Sequence, residues 1–325
     1  DGTFTVTKVD GNAMIPPHHR VTVTASNDSM VIRRVFRVYP EAPALACDYY
    51  IRLNGKPDLQ QSGHSTPWHF SEHLYFSPIH WQLEVTLFRD RTDIYNNLVE
   101  TTAVVPYLHE MQLKGNIVSA THPLSDRGFF LLKESPSTTA QPRYPGYDFI
   151  SRLGGSRMHA LSVSIGVVSP RDLYADKHTR LYGTVFCAGS ADRYARLWDL
   201  KQYKEQLRRH DPQRDNMVLM NTWGDRGQDA KISEAFIMEE IDAGRRLGVS
   251  HLQIDDGWQT GITGNSVYSG GSLSDIWEKG NYWEIHREKF PDGFHALVRK
   301  ADRAGIEIAL WFNPSTDDSY ANWRA

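Results

Sequence analysis

The stretch Leu252-Gln-Ile-Asp-Asp-Gly-Trp258 decides the fold class of the last third of this 325-residue chain. The strand-like run 250–254 ends in two adjacent carboxylates, Asp255 and Asp256, which a glycine and a tryptophan follow. Neighbouring residues at the end of a strand point in different directions. We therefore predict a strand over 250–254 whose carboxyl end presents two diverging carboxylates.

The segments on either side alternate between strand and helix. Met217-Val-Leu-Met220 is a short apolar run between polar residues, which is typical of a buried parallel strand. A helical pattern follows over about 230–247 and ends at Gly248, and a second helix ends at Gly305 before a strand over 306–312. This β-α-β-α-β order predicts a parallel sheet.

The residues after each predicted strand distinguish between two possible architectures, an open doubly wound sheet and a (β/α)8 barrel. No Gly-x-Gly-x-x-Gly follows any strand, so a dinucleotide-binding sheet loses support. Polar and aromatic residues stand there instead, and in a barrel the carboxyl ends of the strands form the active-site face. The candidate substrate-binding residues are Trp223, Asp255, Asp256, Trp311 and Asn313.

Residues 1 to about 190 alternate with period two. Along Trp81-Gln-Leu-Glu-Val-Thr-Leu87, apolar side chains share one face and polar ones the other, as in a half-buried strand. Helical spacing begins after Ser190, the predicted N-cap. The inner face of that helix is predicted to carry Leu197, Leu200, Tyr203 and Leu207.

The predicted organisation has three parts. They are an antiparallel β-sandwich over 1–188, a linking helix over 189–214 and the first part of a barrel over 215–325. Three barrel strands would leave one edge unpaired, so we expect the chain to be the N-terminal part of a longer protein. It begins at Asp1 rather than Met, so we also expect a processed or trimmed chain; its compartment is open, with the cytoplasm favoured.

Composition excludes several classes of protein. A formal net charge of −3 gives no reason to expect nucleic acid or an anionic membrane as partner. No apolar stretch approaches the ~18 residues of a transmembrane helix. Cys47 and Cys187 are too few for a disulfide framework or a cysteine-based zinc site. No cofactor or metal is expected, and a homo-oligomer is left open.

Adjacent carboxylates at a strand end are suited to accept hydrogen bonds from vicinal sugar hydroxyls. The alternatives for Asp255 and Asp256 are a helix N-cap, an ion pair or a metal site, and no His or Glu lies at ligand spacing. Trp223 is a candidate wall for a sugar face, with core packing as its alternative. Asp225 and Arg226 are interpreted as an ion pair that holds their loop.

Two further segments carry weaker interpretations. His69 and His73 are four residues apart, but their segment is strand-like and broken by proline, so a metal pair is not favoured. The glycine-rich loop 257–290 is either a mobile lid with aromatic contacts to substrate or a packing loop. Its aromatic residues are Tyr268, Trp277, Tyr282 and Trp283.

Four motifs in order carry a resemblance to a known family. They are Asn221-Thr-Trp223, Leu252-Gln-Ile-Asp-Asp-Gly-Trp258, Lys289-Phe-Pro-Asp-Gly293 and Leu310-Trp-Phe-Asn-Pro314. They resemble the first three barrel strands of glycoside hydrolase family 36, the melibiase-type α-galactosidases. Three upstream segments resemble that family's N-terminal β-supersandwich: Arg34-Val-Phe-Arg-Val-Tyr-Pro40, Thr92-Asp93 and Tyr144-Pro-Gly-Tyr-Asp-Phe149.

The resemblance implies a retaining mechanism with two Asp residues at the ends of barrel strands four and six. By the same resemblance Asp255 and Asp256 match the galactose-binding pair and Trp223 matches a pocket wall. Asn313 stands where the family more often has an acidic residue. The implied function is hydrolysis of α-galactosides or oligosaccharides, by a site whose catalytic carboxylates lie outside these residues. The alternatives are an α-galactosyl transferase of the raffinose-synthase type and a non-catalytic carbohydrate-binding fragment.

Overall fold

The computed structural model describes ten stretches of the chain, which form two compact units, Asp1–Arg209 and His210–Ala325. The described residues are 2–55, 69–76, 80–88, 98–104, 110–135, 147–153, 159–166, 173–224, 227–272 and 279–312. No helix among them is both long and apolar enough to cross a membrane.

The first unit is built from two antiparallel sheets. Within the described residues the larger sheet has the order β1-β2-β3-β4-β14-β10-β9-β6-β7 with β13 beside β4, and the smaller has the order β5-β12-β11-β8. The strands are β1 Gly2–Val9, β2 His18–Ser26, β3 Met30–Val38, β4 Leu45–Leu53, β5 His69–Phe76, β6 Gln82–Phe88, β7 Val99–Val104, β8 Met111–Leu113, β9 Ile117–His122, β10 Arg127–Glu134, β11 Phe149–Leu153, β12 His159–Gly166, β13 Thr179–Arg180 and β14 Gly183–Gly189.

The part of the larger sheet around β10 is covered on both faces. On β6 the predicted alternation is confirmed, since Leu83, Val85 and Leu87 are buried. On β10 the neighbours Phe129 and Phe130 point to opposite faces and enter different hydrophobic clusters. The Phe129 cluster includes residues of the smaller sheet, and the Phe130 cluster includes residues of the helix after β14. The described part of the unit is therefore a sandwich with a helix on its second face.

That helix is α1, Arg193–Glu205, and it differs in two details from the prediction. Asp192 caps it rather than Ser190, because the Asp192 side chain accepts a hydrogen bond from the Tyr194 amide. Leu200 and Tyr203 are buried as predicted, but Leu197 and Leu207 are exposed. The buried stripe is narrower than predicted because Arg196 occupies its first position, where its guanidinium donates to two backbone carbonyls.

The described part of the second unit contains three parallel strands in the order β15-β16-β17. They are Leu219–Asn221, His251–Ile254 and Glu307–Leu310, so the predicted parallel pairing is confirmed. Helices α3, Glu234–Leu247, and α4, His295–Ala304, lie between them in the chain. The short helix α2, Pro212–Asp215, and a 3-10 turn, Thr222–Gly224, precede and follow β15.

The two longer helices of this unit pack on the sheet through narrow apolar stripes. Ile237 and Ile241 of α3 and Leu297 and Ala301 of α4 are fully or almost fully buried with Leu252 of the central strand. The helices end at Gly248 and Gly305, both left-handed, as predicted. Val298 of α4, next to the buried Leu297, is exposed, so the stripe is one residue wide at that turn.

Candidate functional site

The candidate site is the carboxyl end of the three parallel strands. Asp255 and Asp256 follow the central strand β16 directly and are only 9% and 4% exposed. The Asp255 amide donates to Thr222 Oγ1 at 3.0 Å, and the Trp311 amide donates to the Ile254 carbonyl at 3.0 Å. These bonds join the ends of all three strands around the two carboxylates.

Asp255 is held from the neighbouring strand. Its Oδ2 accepts from Asn221 Nδ2 at 2.8 Å, and its Oδ1 accepts from the Asp256 amide at 2.8 Å. Asn221 is fixed in turn, because its Oδ1 accepts from the Trp223 amide at 2.7 Å and its Nδ2 also donates to Gln253 Oε1 at 2.8 Å. Asn221 therefore orients both Asp255 and the backbone of Trp223.

Asp256 is held from the turn that follows its own strand. Its Oδ1 accepts from Gln259 Nε2 and its Oδ2 accepts from Thr263 Oγ1. Burial raises the pKa of the Asp256 carboxyl, the hydrogen bonds from Thr263 and Gln259 lower it, and the charges of Asp229 and Asp255 raise it. The two carboxylates thus turn toward different elements.

The alternatives left open for the carboxylate pair find no support in the described part of the chain. The described side chains that donate to Asp255 and Asp256 belong to Asn221, Gln259 and Thr263, which are uncharged. Neither carboxylate caps a described helix. Among the described residues no group of three or more His, Cys, Asp or Glu side chains is arranged to hold a metal ion.

Aromatic rings pack beside the carboxylates. Trp258 is 2% exposed, and its Nε1 donates to the Trp311 carbonyl at 2.9 Å. Its ring stacks on Trp283 at 6.0 Å between centroids, and Trp283 lies 6.1 Å from the Trp311 ring. Trp258 is therefore a core residue, whereas Trp311, Trp283 and the predicted wall residue Trp223 are only half-buried.

The described ends of the loop 257–290 pair with each other. Gln259 forms an antiparallel bridge with Ile285, and the Gly261 amide donates to the Tyr282 carbonyl at 2.9 Å. Tyr282 is 1% exposed, so it packs, whereas Tyr268 is 46% exposed. The ends of this loop are thus part of the core. Trp277 lies outside the described residues, and the choice between lid and packing loop stays open.

Sequence reasoning missed Asp229 and Lys289. Asp229 is 3% exposed, its Oδ1 accepts from the Val267 amide at 3.0 Å, and its Oδ2 accepts from Ser266 Oγ. Lys289 Nζ donates to the Gly257 carbonyl at 3.0 Å, and burial lowers its pKa, while Asp229 and Asp256 raise it. Lys289 lies in a recognised motif, but Asp229 stands in a loop with no local pattern.

Several residues singled out in the sequence lie outside the described residues. They are Asn313, Asp225 and Arg226. Of the histidine pair, the side chain of His69 is not described and that of His73 is exposed on β5.

Gly257, directly after the two carboxylates, is a position that tolerates no side chain. Its φ is +105°, and an added Cβ would lie 2.8 Å from Asp229 Cβ. Gly257→Ala is therefore expected to destabilise this unit by about 1–3 kcal/mol, measured by urea unfolding. Gly264→Ala is the matched control, because the nearest atom to its added Cβ lies at 3.9 Å. Equal stability of the two variants would contradict the described geometry.

Comparison with known proteins shows that this chain is similar to glycoside hydrolases. The family model described as Melibiase matches residues 183–321. More particularly, the chain resembles the α-galactosidases of glycoside hydrolase family 36. α-Galactosidase Mel36A of Lactobacillus acidophilus is 26% identical over 113 residues, and α-galactosidase 2 of Pediococcus pentosaceus is 28% identical over 96 residues.

Solved structures of the same family share the fold. α-Galactosidase AgaB of Geobacillus stearothermophilus superposes with a TM-score of 0.64 at 13% identity, covering 99% of this chain and 45% of that one. The AgaA A355E D548N variant, solved in complex with raffinose, gives 0.62 at 13% identity, covering 97% and 44%. This chain thus spans less than half of the length of these two solved chains. The match to Mel36A covers 35% of this chain and 13% of that relative, and the match to α-galactosidase 2 covers 30% of this chain and 12% of that relative.

Proposed function

We propose that this chain carries the galactose-binding part of an α-galactosidase-type glycoside hydrolase. On this proposal β15, β16 and β17 are the first three strands of a (β/α)8 barrel. The observation that carries it is the placement of Asp255 and Asp256, two buried carboxylates with uncharged partners, at the carboxyl end of the central strand. In a barrel, that end of the strands forms the active-site face.

The carboxylates keep capacity for a ligand. Each ionised carboxylate has about four lone-pair sites, and the bonds described above use two on each residue. The remaining sites accept hydrogen bonds from two vicinal hydroxyls of the galactosyl unit. The half-buried rings of Trp223 and Trp311 offer flat apolar surface for its C–H face, and Asn313 completes the proposed set.

The chemistry we propose is hydrolysis with retention. Retaining glycosidases use one carboxylate as nucleophile and one carboxylic acid as proton donor, about 5–5.5 Å apart on opposite sides of the bond. Asp255 and Asp256 turn toward different elements, Asn221 and the 259–263 turn, and so are assigned to binding. The reacting pair is placed outside these 325 residues, at the ends of strands four and six of the proposed barrel.

The proposed substrates are oligosaccharides with a terminal α-galactosyl unit. Solved relatives include complexes with raffinose and with stachyose, which supports this substrate class. Products analysed with and without an added sugar acceptor distinguish hydrolysis from galactosyl transfer. Binding of the sugar without turnover by the full-length protein would favour a carbohydrate-binding role instead.

Substitution of either carboxylate tests the assignment. In the full-length protein, Asp255→Ala and Asp256→Ala are each expected to lower kcat/KM on an aryl α-galactoside at least about tenfold. The reason is that hydrogen bonds to charged groups contribute about 1.5–3 kcal/mol and the sugar hydroxyls would lose their acceptors. Asp302→Ala, which removes an exposed carboxylate from α4, is the control. Full activity of both variants would show that Asp255 and Asp256 do not bind the substrate.

A further inference from the structure

The Asp256 carboxylate is fixed by two neutral side chains from the turn after β16. Gln259 and Thr263 are 1% and 2% exposed, and each donates to a different carboxylate oxygen. A carboxylate with one donor can still rotate about its Cβ–Cγ bond, whereas a donor on each oxygen fixes its plane. The directions of the remaining lone pairs are fixed with it.

The two donors are themselves held by the same turn. Gln259 Oε1 accepts from the Gly257 amide at 3.1 Å, and its backbone is bridged to Ile285. Thr263 Oγ1 accepts from the Asn265 amide at 3.3 Å while it donates to Asp256. Each side chain thus accepts from the backbone and donates to the carboxylate, an arrangement that leaves its donor little freedom to point elsewhere.

A second layer holds the turn from outside. Asp229 accepts from Ser266 Oγ and from the Val267 amide, which fixes the backbone just after Thr263. Lys289 donates to the Gly257 carbonyl at 3.0 Å, at the start of the turn. The charged groups that act on Asp256 are Asp229, Asp255 and Lys289, and none of their described bonds ends on its carboxylate oxygens.

We infer that Thr263 and Gln259 are positioning residues that aim the free lone pairs of Asp256 at a sugar hydroxyl. This inference rests on the proposed function. Asp255 has a separate support in Asn221 of β15, so the two carboxylates are oriented by independent elements. Loss of one Asp256 donor therefore weakens sugar binding through Asp256 alone and leaves Asp255 in place.

Thr263→Val in the full-length protein tests this inference, because valine keeps the shape and removes the donor. With p-nitrophenyl α-D-galactopyranoside, KM is expected to rise about three- to tenfold while kcat changes less than about twofold. Thr263→Ser keeps the hydroxyl and should restore KM. Thr260→Val is the matched control, because the Thr260 hydroxyl in the same turn donates to the Asn281 carbonyl instead of Asp256.

The pH dependence of kcat/KM on the acid side distinguishes a positioning role of Thr263 from a merely structural one. Protonation of Asp256 replaces one acceptor site of the carboxylate with an O–H donor, so binding of the sugar hydroxyl weakens as pH falls through the pKa of Asp256. The Thr263 hydroxyl lowers that pKa, so Thr263→Val should move the acid limb of kcat/KM to higher pH. Thr263→Ser and Thr260→Val should leave the limb in place.

A double-mutant cycle separates this inference from the proposed function. In an Asp256→Asn background, Thr263→Val should have no further effect on KM. If Asp256→Asn is itself silent, the proposed function fails and the inference falls with it. If Asp256→Asn lowers kcat/KM but Thr263→Val is silent, or its effect adds fully to that of Asp256→Asn, the inference alone is overturned.

Discussion

Lys133→Met is expected to lower the free energy of unfolding of the first unit by about 3–5 kcal/mol, because it leaves a buried carboxylate without its ammonium partner. Lys133 Nζ lies 2.9 Å from Asp148 Oδ1, and the two side chains are 2% and 0% exposed. Asp148 Oδ2 also accepts from the Gly115 amide at 2.8 Å. The pair therefore links β10, the residue before β11 and the turn before β9 inside the sandwich.

The measurement is hydrogen exchange of the β10 amides together with urea unfolding, because the two compact units need not unfold in one transition. Lys201→Met is the matched control: it breaks the exposed Lys201–Glu205 pair of α1 and should cost no more than about 0.5 kcal/mol. Lys133→Met with Asp148→Asn should recover much of the loss, since no buried charge remains. Similar losses for Lys133→Met and Lys201→Met would contradict the buried pair.

The position of Lys133 also shows where sequence periodicity stops being informative. On β6 one face is buried, so the alternation of Leu83 and Val85 with polar residues predicted the strand and its face. β10 packs on both faces, and its residues from Gly128 to Lys133 are buried without alternation. A lysine inside such a run is explained by Asp148, which lies 15 residues away and is brought beside it by the fold.

In the candidate site, too, some residues could be predicted from the sequence and others could not. Asp255 and Asp256 were predicted because they directly follow a strand, and chain order alone places them at its end. Thr263, Asp229 and Lys289 come to the same place through a turn, a loop and the segment before α4. No local period marks such positions, so only the folded path of the chain shows which polar residues support Asp256.

The 325-residue chain alone is expected to turn over an aryl α-galactoside at least about a thousandfold more slowly than the full-length protein. General acid–base catalysis contributes typically about 10²–10⁴-fold, and an activated nucleophile adds to it, so a site without both carboxyl groups loses most of its rate. Asp255 turns toward Asn221 and Asp256 toward Gln259 and Thr263, so they do not flank one bond.

Two other acids are the alternative candidates for a catalytic carboxylate within these residues. Asp317 and Asp318 follow the third strand and lie outside the described residues. The assay therefore compares the 325-residue chain, the full-length protein and the 325-residue chain with Asp317→Asn and Asp318→Asn together. Comparable turnover by the first two would show that a catalytic pair lies within these residues and would overturn the proposed placement. Loss of that turnover in the third would identify Asp317 or Asp318 as a member of the pair, because the amide can neither attack the anomeric carbon nor protonate the leaving oxygen.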